Sequence, residues 1–78
     1  MKILAIVNHG GKRRFSLDRI QIDDKGPVYL CQEAYWYKTA NSARDDAARI
    51  MDPGETLHTE ILEIGRINRQ AVFSGIKV

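Results

Sequence analysis

Only one stretch of this chain carries a helical repeat, and the segments around it carry β-type patterns. In SARDDAARIM, residues 42–51, Ala43, Ala47, Ile50 and Met51 follow the i, i+4, i+7, i+8 spacing that lines one face of an α-helix. Ser42 reads as the N-cap, and Asp45 three residues later completes a capping-box-like pattern. Asp45 and Arg49 form an i, i+4 pair in the favourable order, worth a few tenths of a kcal/mol. The sequence DPG at 52–54 stops the helix. A lone helix has to bury its apolar stripe on something else. The flanking runs are short, β-branched or aromatic, and bounded by turn residues, so that partner is a sheet.

KILAIV (2–7) is apolar on both faces apart from Lys2 and reads as a central strand. In FSLDRIQID (15–23), Phe15 and Leu17 alternate on one face while Ile20 and Ile22 follow the opposite phase, which predicts a bulge near Asp18–Arg19. DDKGP (23–27) is a turn. VYLCQEAYWYKT (28–39) alternates Val28, Leu30 and Trp36 against Tyr29, Cys31, Tyr35 and Tyr37 and reads as a third strand, with an interruption at Gln32–Ala34 left open. TLHTEILEI (56–64) and QAVFSGIKV (70–78) read as two further strands joined by the turn GRINR. The expected fold is α+β, in the order β-β-β-α-β-β. It has one helix packed on an antiparallel sheet of four to five strands, in a single domain over residues 1–78.

The length restricts function. A chain of 78 residues buries only roughly 60–65% of its extended-chain surface, which leaves little room for a deep catalytic pocket. No run of about 18 apolar residues exists to span a membrane, and the apolar start is too short for a signal peptide. The single cysteine, Cys31, cannot form an internal disulfide and fits a reducing, cytoplasmic setting. His9 and His58 stand alone, without the clustered ligands a metal needs, and no cofactor motif occurs. Nucleophilic catalysis would need Ser16, Ser42, Ser74 or Cys31 beside a histidine and an orienting acid. Ser42 is better used as a cap, Ser74 alternates with Val72 and Ile76, and Cys31 lies in a hydrophobic strand where a thiol is inert. The carboxylate pairs Asp23–Asp24 and Asp45–Asp46 fall in a turn and on a helix surface, where solvated charge is the default. The expectation is a protein that is not an enzyme.

Charge is uneven along the chain. Residues 1–20 hold five cations and one anion, residues 21–65 hold four cations and nine anions, and residues 66–78 hold three cations. Such segregation creates a local field even at a net charge of +2. NHGGKRRFS (8–16) is not a phosphate-binding Walker loop, because its glycines are adjacent. It is either a hairpin loop kept soluble by its cations or a contact for an anionic partner. If consecutive strands alternate in direction and the helix returns over the sheet, Lys12, Arg13, Arg14, Arg66 and Arg69 converge around the helix N-terminus. In AYWYK (34–38), Tyr35 and Tyr37 point to one face and Trp36 to the other. With a single helix to cover the sheet, Tyr35 and Tyr37 are expected on the more exposed face. Three readings stand: aromatics that patch a small core, a docking surface, or a platform for a nucleic-acid base.

The stretch YWYKTANSARDDAARIMDPGETLHTEILEIGRI (35–67) resembles the strand–capped helix–strand pattern of small phage and prophage proteins, among them anti-CRISPR inhibitors. That resemblance implies a non-enzymatic inhibitor that docks on a bacterial CRISPR surveillance complex, a protein or ribonucleoprotein assembly of the host cytoplasm, and blocks engagement of nucleic acid. It carries no residue roles with it. The candidate partner-binding residues are therefore those of the basic end and the aromatic pair: Lys12, Arg13, Arg14, Arg66, Arg69, Tyr35 and Tyr37. The alternative is a small nucleic-acid-binding domain that uses the basic end.

Overall fold

Ile3 through Val7 are all buried, which a strand achieves only when both of its faces are covered. They belong to β1 (Lys2–Asn8), the centre of the sheet. The computed structural model describes residues 1–12, 14–65 and 69–73, apart from the side chains of Gln70 and Ala71. β2 (Phe15–Asp23) pairs antiparallel with the whole length of β1 through Phe15–Gln21, and β3 (Gly26–Gln32) pairs antiparallel with β2 at the sheet edge. The chain then crosses one face as α1 (Ala40–Ile50). It returns as β4 (Glu55–Leu57) and β5 (Leu62–Glu63), which lie end to end along the other side of β1. The α+β class and the order β-β-β-α-β-β match the sequence expectation.

The sheet, however, is mixed rather than antiparallel, because β4 and β5 both run parallel to β1. The helix explains the direction. It starts at the end of the sheet that β3 reaches and finishes at the opposite end, so the next strand sets out in β3's direction again. The expected strand at 56–64 is two short ones with residues 58–61 between them. The expected strand at 70–78 is a five-residue helix over its described part, α2 (Arg69–Phe73), and residues 74–78 lie outside the described residues.

Both faces have a core. Leu4, Ile6, Phe15 and Leu17 pack against Ala43 and Ala47 of α1. On the opposite face, Ile3, Ala5, Val7, Ile20 and Ile22 pack against Ile64 and the fully enclosed Phe73 of α2. Truncating such a phenylalanine to alanine costs about 3–5 kcal/mol, so the short α2 stabilises far more than its length suggests. The phase change in β2 follows from this double coverage. Its alternation is unbroken against β1, and both phases are buried. A register shift does occur between Arg19 and Ile20, but against β3, where Leu30 is the extra residue.

α1 begins three residues earlier than its spacing suggested. The cap is Thr39, whose Oγ1 accepts the Ser42 N–H at 3.1 Å. The added turn places Ala40 on the Ala43–Ala47–Ile50 stripe against the core, a gain that a cap at Ser42 would forgo. Arg49 pairs with Asp46 rather than Asp45. At the helix C-terminus, Arg19 of β2 donates to the Ile50 carbonyl at 3.1 Å and contacts Glu33, Glu55 and Asp52, tying the chain just after β3, α1 and β4 to the sheet. Cys31, expected inside a hydrophobic strand, is exposed, because β3 is an edge strand that α1 does not cover.

Candidate functional site

One end of the sheet gathers the functional candidates. The loop after β1, the segment before α1 and the chain after β5 all lie there. Tyr37 exchanges two backbone hydrogen bonds with Phe15 at 2.9 and 3.1 Å, and the Ile64 N–H donates to the Asn8 carbonyl at 3.0 Å. In the loop, Gly10 and Gly11 both have positive φ (75° and 67°), backbone that side chains with a Cβ rarely adopt. They let the chain reverse so that the His9 N–H reaches the Arg14 carbonyl at 2.6 Å. Lys12 is exposed, and so is Arg14, whose guanidinium lies 5.4 Å from the centre of the Phe15 ring. Arg13 and Arg66 lie outside the described residues.

Arg69 does not belong to that solvated set. It turns inward from α2 to Asp18, a fully buried carboxylate on β2. Its Nε stands 2.9 Å from Asp18 Oδ2, off the hydrogen-bonding axis, so the contact is an ion pair without an aligned hydrogen bond. Nη2 donates to Gln32 Oε1, and the guanidinium lies 5.2 Å from the centre of the Tyr29 ring. The other carboxylate oxygen, Oδ1, accepts from Ser16 Oγ at 2.8 Å, and His9 Nε2 meets the same hydroxyl at 2.7 Å. Serine has one proton and gives it to Asp18, so His9 donates from Nε2. Burial pushes the Asp18 carboxyl above its ordinary range, outweighing the Ser16 hydrogen bond and the Arg69 charge. Burial, and then Arg69, lower His9.

The trio His9, Ser16 and Asp18 has the residue types of a hydrolytic triad in the wrong order. Serine stands in the middle, whereas activation of a nucleophile needs the histidine there. The Ser16 side chain is also enclosed, out of reach of a substrate. What this arrangement does is hold α2 on the sheet. Sequence spacing hides it, since Arg69 is 37 residues from Gln32 and 60 from His9. One signal was available: Ser16 and Asp18 share the strand phase of Ile20 and Ile22, so they face a buried layer and call for a cation.

The aromatic segment behaves differently. After Gln32 the chain leaves the sheet; the Glu33 N–H still donates to the Leu17 carbonyl at 2.8 Å, and Tyr37 returns to pair with Phe15 as an isolated bridge, so residues 33–39 are not a strand. Strand alternation therefore does not apply, and the expected exposures are rearranged. Tyr35 is 69% exposed and Trp36 37%, while Tyr37 is half-buried with its ring packed against the Leu4–Leu17 core. Trp36 meets the His9 ring edge-on at 4.8 Å. The Tyr37 hydroxyl donates to Asp46 Oδ2, and Arg49 donates to Asp46 Oδ1 from Nε at 3.0 Å and from Nη2. Burial, then the hydrogen bond to Asp46, push the Tyr37 hydroxyl up to about 12. The same hydrogen bond and Arg49 lower the Asp46 carboxyl.

These side chains line an open cleft of about 510 Å³, bounded by Tyr35, Trp36, Tyr37, Ser42, Asp45, Asp46 and Arg49. Its volume is in the range of small-ligand sites. The structure thus brings Tyr35 and Tyr37 to one cleft and adds Trp36, Asp45 and Asp46, which sequence reasoning had assigned to the opposite strand face and to solvated helix surface. Among the described residues, no group of three or more histidine, cysteine or acidic side chains is placed to hold a metal ion. No helix there is long and apolar enough to cross a membrane. No family model, curated protein or solved structure matches this chain.

Proposed function

We propose that this protein is a non-catalytic binding module that docks on a partner protein through the Tyr35–Trp36 face and the cleft behind it. The observation that carries this reading is the exposure of two large aromatics, Tyr35 at 69% and Trp36 at 37%, on a segment anchored by the Tyr37 bridge. Exposed, pre-positioned tyrosine and tryptophan are the side chains most enriched at binding hot spots, because they bring large contact area at little entropic cost. Support for a non-catalytic role comes from the buried serine, whose hydroxyl is engaged by Asp18 and His9. The resemblance of residues 35–67 to phage-type inhibitors supplies the partner class: a bacterial CRISPR surveillance complex in the host cytoplasm, blocked by occlusion.

The test is capture from bacterial lysate with the protein and its Tyr35→Ala/Trp36→Ala variant. The expected result is a ribonucleoprotein assembly that survives nuclease treatment and is absent with the variant. Capture that the variant retains would overturn the reading. A second reading, direct contact with nucleic acid, has the exposed Lys12 and Arg14 at the same end in its favour and the inward turn of Arg69 against it. It predicts capture that nuclease abolishes and affinity that falls steeply with salt.

A further inference from the structure

The geometry points to the cleft as a receptor for an arginine side chain of the partner protein, an inference that rests on the docking reading and specifies its chemistry. Three features converge. The walls are aromatic, and Tyr35 and Trp36 offer ring surface to solvent. A guanidinium is attracted to such faces and stacks on them. Two carboxylates from consecutive positions of α1 line the same space. Asp46 is committed to Tyr37 and Arg49, whereas Asp45 has no hydrogen bond or ion pair among the described residues. The cleft already shows what it accepts: the protein's own Arg49 lines it and bonds Asp46 through two of its nitrogens. With two carboxylates and one guanidinium, the lining carries one uncompensated negative charge. An incoming guanidinium would find the free Asp45 carboxylate as a bidentate acceptor and the Tyr35 and Trp36 rings as its stacking surface.

Charge decides against an anionic occupant. A phosphate or carboxylate entering here would meet Asp45 directly, and the one cation present is already neutralised by Asp46. A purely apolar side chain would leave Asp45 desolvated without a partner. Arginine satisfies both the rings and the acid.

The chain's single tryptophan lines the cleft and serves as the reporter. Nα-acetyl-arginine methylamide is titrated into the full chain while Trp36 fluorescence is followed. The neutral citrulline analogue is run in parallel. Saturable change with the arginine probe, and none with citrulline, is expected. Asp45→Asn should weaken binding about tenfold through loss of a charge-assisted pair without lowering the melting temperature. Arg49→Gln should tighten it severalfold by freeing Asp46. Equal responses to both probes, an Asp45→Asn variant that binds like the parent, or no saturation even in Arg49→Gln would overturn the assignment. The two proposals fail separately. Arginine binding without ribonucleoprotein capture would remove the partner and keep the cleft chemistry, and capture without arginine binding would do the reverse.

Discussion

Two aspartate–arginine pairs sit on opposite faces of the sheet, and they differ in one respect that decides what each can do. Asp18–Arg69 joins β2 to α2 beneath a tyrosine ring, with the carboxylate fully enclosed. Asp46–Arg49 lies within α1 beside another tyrosine, with the arginine side chain 72% exposed. Residue types and partners are alike, yet the carboxyls shift in opposite directions. Burial raises Asp18, whereas hydrogen bonds lower Asp46. Enclosure turns the first pair into a fastening, because neither charge can leave without stranding the other. Exposure leaves the second exchangeable, because water can replace either partner.

The comparison breaks first at Arg69. Replacing it with alanine strands Asp18 in the core, and the expected loss is about 3 kcal/mol at neutral pH by chemical denaturation. Adding Asp18→Asn to Arg69→Ala should recover part of that loss, since the remaining defect is then a polar group rather than a charge. If Arg69→Ala is no more destabilising than Arg49→Ala, the two pairs are energetically alike and the distinction fails. Ala47→Asp is the companion test. It sets an unpartnered carboxylate against the Leu4–Leu17 core, where Ala47 is fully buried, and should cost several kcal/mol. A thermal melt unchanged from the parent would mean that this face of α1 does not pack.

A second group of effects comes from pH. The His9 pKa is lowered in the folded state from an ordinary 6.5, so the unfolded chain binds the proton first. Stability should therefore fall as pH drops through that value, and the fall should end below the folded-state pKa. Protonation would also place a second cation 3.3 Å from Arg69 Nη2. Asp18 works in the opposite sense. Its folded-state pKa is raised above 3.8, so its contribution grows as pH falls from the raised value towards 3.8. Melting temperatures across this range should show a loss that His9→Gln abolishes and a partial recovery at lower pH that Asp18→Asn abolishes.

The smallest effects belong to the exposed pair. Asp46→Asn should lower stability much less than Arg69→Ala does, because water can solvate the exposed Arg49 guanidinium left behind. It should nonetheless bring the Tyr37 hydroxyl down from about 12 while leaving it above 10, because burial, the larger cause, remains. Ultraviolet titration of the phenolate, with Tyr37→Phe to assign the signal, reads this directly. A Tyr37 transition that does not move would mean that the hydroxyl is not bonded to Asp46.

Inward rotation of Arg69 also changes how the basic end can be tested. Reversing Arg69 would damage the fold, so a lost interaction in that variant says nothing about charge at the surface. Lys12 and Arg14 remain the informative positions among the described residues, and both are exposed.

The helix and the central strand were legible because each is a local pattern with one period. Ala43, Ala47 and Ile50 repeat at helical spacing, and Ile3–Val7 admit only a strand covered on both sides. The turn at 23–27 and the helix stop at Pro53–Gly54 were legible for the same reason, since their backbone requirements are met by single residues. Strand direction, the splitting of 56–64 and the helical turn at 69–73 were not. Short apolar runs such as QAVF satisfy a strand or a helix equally well, and the choice falls to whichever conformation delivers Phe73 and Arg69 to the open face of the sheet.

From the sequence alone come an α+β domain, its element order and its one long helix. The tertiary structure alone decided which charges are spent on folding and which face solvent. Patterning reports what a residue prefers, whereas the free energy of a charge depends on the dielectric around it and on partners up to 60 residues distant. Arg14 and Arg69 are the same side chain, one in water above a phenyl ring and the other turned inward beside Asp18, and no local window of sequence tells them apart.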